Sequence, residues 1–157
     1  MSHTAKKRSP AKTLVKVRPA RPADASAICR LGIADSSFVV SPVIKFYEQS
    51  EVAEWARRRR ENLLLVAECD DEIVGFLFCK VMSHHWAMLD NFYVRPSSRT
   101  TDSAQKLYQS LVRELANRKL TYLTCLVRED HGALMRLVRL KGFTQRHQYT
   151  WLEYFLN

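Results

Sequence analysis

The chain reads as an α/β (α+β) protein built on a mixed, mostly antiparallel central sheet of six to seven strands with helices on both faces. Three observations predict it. Leu63 to Cys69 and Ile73 to Met82 are apolar runs separated by the tight acidic turn Asp70-Asp71-Glu72, which makes a β-hairpin. Trp86 to Val94, WAMLDNFYV, is a third run that extends the same meander. The chain then alternates: a helix over 103–119, a strand from Tyr122 to Val127, a helix over 131–141 and a last extended segment from Phe143 to Phe155.

The elements before the hairpin follow from their own patterns. Thr13 to Arg18 alternates as TLVKVR, a short first strand. Pro22 opens a helix with Asp24 near its start and Gly32 at its end; Ala25, Ile28, Cys29 and Leu31 form its buried face. Residues 41–60 predict one or two more helices, with Val43, Phe46, Tyr47, Val52 and Trp55 inward. The long helix is the clearest element. Ala104, Leu107, Tyr108, Leu111, Val112, Leu115 and Ala116 fall on one core-facing stripe. That stripe puts the helix start at Asp102 or Ser103, directly after the loop RPSSRTTD.

Composition narrows the class. With 157 residues, the chain predicts one domain over 13–157 behind a basic tail, residues 1–12. No apolar run approaches the ~18 residues of a membrane span. The tail lacks the hydrophobic stretch of a secretory signal. The four cysteines stand alone in apolar segments without C-x-x-C or Cys/His spacing, which predicts free thiols in a reducing cytoplasm and no metal site. His84-His85, read as strand residues, would point to opposite faces and share no metal. The net charge of +9 favours a polyanion: nucleic acid, an anionic surface or a phosphorylated cofactor. The run Arg57-Arg58-Arg59-Arg60 reads as a solvated helix face.

A strand that feeds a helix through a basic, hydroxyl-rich loop can hold a phosphate on backbone N–H groups. Here the loop also carries the spacing Val94-x-Pro96-x-x-Arg99. With the order β-α-α-β-β-β-α-β-α-β over residues 14–157, this resembles the GCN5-related N-acetyltransferases, the GNAT superfamily. The resemblance implies acetyl-CoA as co-substrate. It implies that the backbone of Phe92, Tyr93 and Val94 pairs with the pantetheine arm. The family loop, Arg or Gln, two residues, Gly, any residue, then Gly or Ala, maps onto Arg99, Thr100, Thr101, Asp102, Ser103 and Ala104. Asp102 stands where the family has glycine. An N-cap carboxylate there would compete with the pyrophosphate for the same amides, whereas Thr101 and Ser103 offer hydroxyls and Arg99 a charge-assisted contact.

The resemblance also assigns a base. The carboxylate four residues before Val94 is Asp90, and strand alternation puts it on one face with Trp86, Met88, Phe92 and Val94. A carboxylate amid such neighbours is desolvated, which raises its pKa and suits base work. The family's next helix reads Asn-x-x-Ala-x-x-x-Tyr-x-x-x-Gly-Phe. Gly142-Phe143 match its end, but His131, Leu134 and Val138 replace the Asn, the Ala and the proton-donating Tyr. His131 is placed to touch the cofactor or begin the helix, and Tyr108, His147 and Tyr149 are substitute donors by type. The implied activity is N-acetyl transfer to a primary amine, on a small molecule or a protein, by direct attack. The alternatives are a GNAT-fold acyl-CoA-binding or sensor module and, from the +9 charge, an RNA- or tRNA-associated acetyltransferase. The family's acceptor pockets map to residues 33–60 and the chain end, and the short chain end leaves that site open or completed by a second subunit in a homodimer.

Overall fold

Asp70 and Asp71 both hold left-handed backbone, φ 50° and 62°, and this two-residue turn reverses the chain between two long strands of the sheet. In the computed structural model, which describes residues 14–38, 46–99, 102–147, 150, 152 and 154, the turn joins β2 (Asn62–Cys69) to β3 (Glu72–Val81). β1 (Val15–Pro19) pairs antiparallel with β2, and β4 (Trp86–Val94) with β3. β5 (Tyr122–Cys125) lies parallel to β4, so the sheet order is β1-β2-β3-β4-β5.

Each face has its own core. On the first face, α3 (Ser103–Asn117) lays Leu107, Leu111 and Leu115 over Val15, Leu65, Leu77, Cys79, Ala87 and Leu89. On the second, α1 (Ala25–Ile33) and α2 (Gln49–Arg57) bury Ile28 and Val52 against Leu64, Val66, Phe76 and Phe78. Ala25, Ile28, Cys29 and Leu31 are buried as their spacing predicts. Gly32 stands one residue before the last of α1, and a Cβ there would collide with the Phe46 ring, so the position takes glycine. Arg18 on β1 reaches both Asp24 before α1, at 2.6 Å, and Glu68 on β2, at 2.7 Å. That network ties the α1 entry to the sheet.

By its internal contacts the chain divides into two units, residues 1–126 and 127–157. The second carries α4 (Gly132–Leu140). α4 ends in a Schellman arrangement: Gly142 has φ 90°, its N–H bonds Arg139 O, and the Phe143 N–H bonds Val138 O.

The described residues form five strands, against six to seven expected. The missing element is the segment from Phe143 to Phe155, whose described residues hold no strand; its first N–H is taken by the α4 C-terminus rather than by a ladder. The α3 stripe is also narrower than predicted. Val112 is 45% exposed and Ala116 is exposed, while Ser103 and Ser110 are buried, because the sheet contacts an i, i+4 row rather than the whole apolar arc. His84 and His85 sit in the β3–β4 connection, not in a strand, and their rings touch, with Nε2 and Nδ1 3.2 Å apart. Val43 and the tail lie outside the described residues.

Candidate functional site

β4 breaks its own alternation at one residue. Phe78 on β3 faces Asn91 and Cys79 faces Leu89, so Asp90 is an extra residue with no partner in the β3–β4 register, a β-bulge. Up to the bulge, Ala87 and Leu89 point to the α3 face, which leaves Trp86 and Met88 on the second face. Beyond it, Phe92 and Val94 point to the α3 face and Tyr93 to the second. The expected five-residue face of Trp86, Met88, Asp90, Phe92 and Val94 is therefore divided. Asp90 stays with Trp86 and Met88, and Phe92 and Val94 pass to the other side.

The bulge coincides with the end of a ladder. Pairing between β4 and β5 runs from Trp86 opposite Tyr122 to Leu89 opposite Cys125 and stops there. From Asn91 to Val94, β4 runs on without a strand partner on that side among the described residues. A strand edge of this kind accepts an extended ligand through main-chain hydrogen bonds. The side chains of Tyr93 and Val94 are buried, so what this edge offers is backbone.

Asp90 is exposed, so the desolvation expected from its apolar neighbours is absent. Its environment is defined by a partner that the sequence did not indicate. The Tyr47 hydroxyl donates to Asp90 Oδ2 at 2.7 Å across 43 residues of chain. Tyr47 is fixed by edge-on ring contacts with Phe46, centroids 5.2 Å apart, and with Trp55, 4.7 Å apart. Burial, and then the bond to Asp90, raise the phenol's pKa well above the ordinary tyrosine value, so it remains a donor. By spacing alone Tyr47 is an inward-facing ring and no more. Nothing local signals a bond to a strand so far along the chain.

The loop after β4 starts with Arg95, whose guanidinium holds Glu72 at 2.7 Å. Pro96–Ser98 makes a 3-10 turn. Arg99 folds back so that Nε donates to Val94 O at 2.9 Å, while its side chain stays 57% exposed. Thr100 and Thr101 lie outside the described residues. Asp102 precedes α3 but makes no side-chain cap bond, and its carboxylate meets Lys106 at 3.2 Å. The competition expected between an Asp102 cap and a bound phosphate is therefore not built into this conformation. Lys106 also donates to Val15 O at 2.9 Å. Ser103 is fully buried, so its hydroxyl does not face solvent as a phosphate donor would, and Ala104 packs against the first core. Unit 1 thus brings together the β4 edge, Arg99 and the start of α3. The N-terminus of a helix carries partial positive charge and favours an anion.

In the second unit, His131 is the N-cap of α4, its Nδ1 accepting the Leu134 N–H at 3.2 Å. The neutral ring then carries its proton on Nε2. Val138 is buried and offers no proton. Tyr108 on α3 is half-buried, and burial raises its phenol pKa. His147 is exposed and Tyr149 is outside the described residues. Burial pushes the Cys79 thiol up to about 12. Among the described residues no cluster of three or more His, Cys, Asp or Glu is arranged to hold a metal, and no helix is long and apolar enough to cross a membrane.

Residues 33–143 match the acetyltransferase (GNAT) family, more than half of the chain, and the chain belongs to that family. Solved structures with the same fold include a PaiA N-acetyltransferase from Thermoplasma acidophilum in complex with coenzyme A, at TM-score 0.78 and 14% identity, covering 87% of this chain and 93% of that one. A ribosomal-protein-alanine N-acetyltransferase from Brucella melitensis biovar Abortus 2308 gives 0.73 and 16%, covering 92% and 99%. The aminoglycoside acetyltransferase meta-AAC0020 from an uncultured soil metagenomic sample gives 0.73 and 14%, covering 91% and 97%. No curated protein matches in sequence.

Proposed function

We propose that this chain is an acetyl-CoA-dependent N-acetyltransferase that acts on a primary amine. The observation that carries the reading is the coincidence at Asp90 of a bulge, the end of the β4–β5 ladder and a hydrogen-bonded carboxylate. The residues fit the co-substrate chemically. The β4 edge over 91–94 offers main-chain groups for an amide-rich arm, and Arg99 with the α3 start offers positive potential for a pyrophosphate. When bound, acetyl-CoA supplies an activated thioester whose sulfur departs as the thiol.

The chain's own part is positioning and proton management. Tyr47 holds Oδ2 of Asp90 and leaves Oδ1 to take a proton from the acceptor's ammonium, freeing the nitrogen lone pair for attack. Val138 leaves the departing sulfur without the family's tyrosine donor, so water or a group outside the usual position supplies that proton. That substitution also favours a second reading, an acyl-CoA-binding module without turnover.

Asp90→Asn tests the base. The expected result is a loss of turnover of roughly 100-fold or more, in line with general-base contributions, with acetyl-CoA affinity unchanged. Turnover at the wild-type level would remove Asp90 from the mechanism.

A further inference from the structure

The sheet surface leading up to Asp90 identifies the kind of amine. The inference rests on the transferase reading and narrows its acceptor. We infer that the acceptor is a monocationic amine with an aromatic or extended apolar body, its ammonium at Asp90 and its body along Met88, Trp86 and Tyr122.

Met88 and Trp86 share the second face of β4 with Asp90, because the intervening Ala87 and Leu89 are buried on the first. Trp86 lies opposite Tyr122 across the β4–β5 ladder and Met88 opposite Thr124. The Trp86 and Tyr122 rings are 6.4 Å apart, and Tyr122 is 55% exposed. From Asp90 to Trp86 is four residues of strand, about 13 Å at ~3.3 Å per residue. This is an apolar shelf with a carboxylate at one end.

Two features select against a polyhydroxylated polycation. The polar handle of Trp86 is already used, since Nε1 donates to Thr124 Oγ1 at 2.8 Å, so the ring meets a ligand through its apolar surface. Lys80 lies opposite Met88 in the β3–β4 register and is exposed, which puts a positive charge beside the shelf. A second ammonium lying there would be repelled, so one cationic end is accepted and several are penalised. Tyr47 and Trp55, in ring contact, wall the Asp90 end.

The test is equilibrium titration of the full chain with phenethylamine and with kanamycin, with and without coenzyme A, followed by acetylation assays on both. Phenethylamine is expected to bind at least tenfold more tightly. Tyr122→Ala and Met88→Gln should each weaken it several-fold while leaving kanamycin affinity, the far-ultraviolet spectrum and coenzyme A affinity unchanged. Because Tyr122 is exposed, its variant reads the shelf without disturbing the core. Tighter kanamycin binding, phenethylamine binding indifferent to both variants, or no binding of either amine overturns the inference. The two levels separate cleanly. Phenethylamine binding without any acetyl-CoA binding would sink the transferase reading and keep the shelf. Preferred acetylation of kanamycin would sink the shelf and keep the transferase.

Discussion

Asp90 and Tyr47 form the hydrogen-bonded pair at the centre of the proposed site, and each can be probed through the other. The Tyr47 phenol is held up first by burial and then by its bond to the carboxylate. Asp90→Ala removes the second cause and leaves the first. Alkaline spectrophotometric titration should then show one tyrosine ionising at lower pH than in the wild type; an unchanged titration would mean that the bond is not made. Tyr47→Phe should lower kcat by roughly 10- to 100-fold, the worth of roughly 1.5–3 kcal/mol for a hydrogen bond to a charged group, with the KM for acetyl-CoA unchanged. Elsewhere, burial opposes the Asp24 carboxylate, but the bonds from Arg18 and from the Arg21 N–H outweigh it and hold its pKa below the ordinary value. A depressed native pKa contributes stability that is present above the unfolded value of about 3.9 and lost as pH falls through the native one. Asp24→Asn should therefore cost about 1–3 kcal/mol at neutral pH and flatten the acid limb of stability. Urea melts at pH 7 and pH 3 read both effects. Of the proposed site the sequence points to Asp90 and Arg99, by resemblance alone. It could not carry Tyr47, because a bond spanning 43 residues exists only once α1 and α2 dock on the sheet.

The elements were legible where their signals are local. The hairpin announced itself through two aspartates that tolerate left-handed backbone, and α3 through its apolar period. The bulge in β4 was not legible, because it is a property of the pairing with β3 and not of WAMLDNFYV alone. It reverses which side chains face α3, and so moved Phe92 and Val94 off the face of Asp90. The same limit explains α3, where periodicity reports how wide the apolar arc is but not how much of it a twisted sheet covers. Leu111 is fully buried and Val112 is 45% exposed. Leu111→Ala should cost about 2–5 kcal/mol, and Val112→Ala under about 1 kcal/mol. Equal costs would contradict the assigned face of the helix.

At the scale of the whole chain, membership of the acetyltransferase (GNAT) family, matched over residues 33–143, agrees with what the strand–loop–helix segment from Trp86 to Lys119 announced. Identities of 14% to 16% to solved structures carry the fold and no acceptor. Activity must therefore be argued from this chain's own groups. The favourable ones are the β4 edge, Arg99, whose side chain is 57% exposed with its guanidinium 3.9 Å from Asp35, and an Asp102 carboxylate paired with Lys106. A net charge of +9 sets up a field that favours polyanions such as the proposed co-substrate and weakens with salt. The most direct test is isothermal titration of acetyl-CoA into the full chain, coupled to detection of free thiol when amines are added. Saturable binding of one equivalent is expected, with thiol release that depends on both the amine and Asp90. No heat of binding at millimolar acetyl-CoA would contradict it.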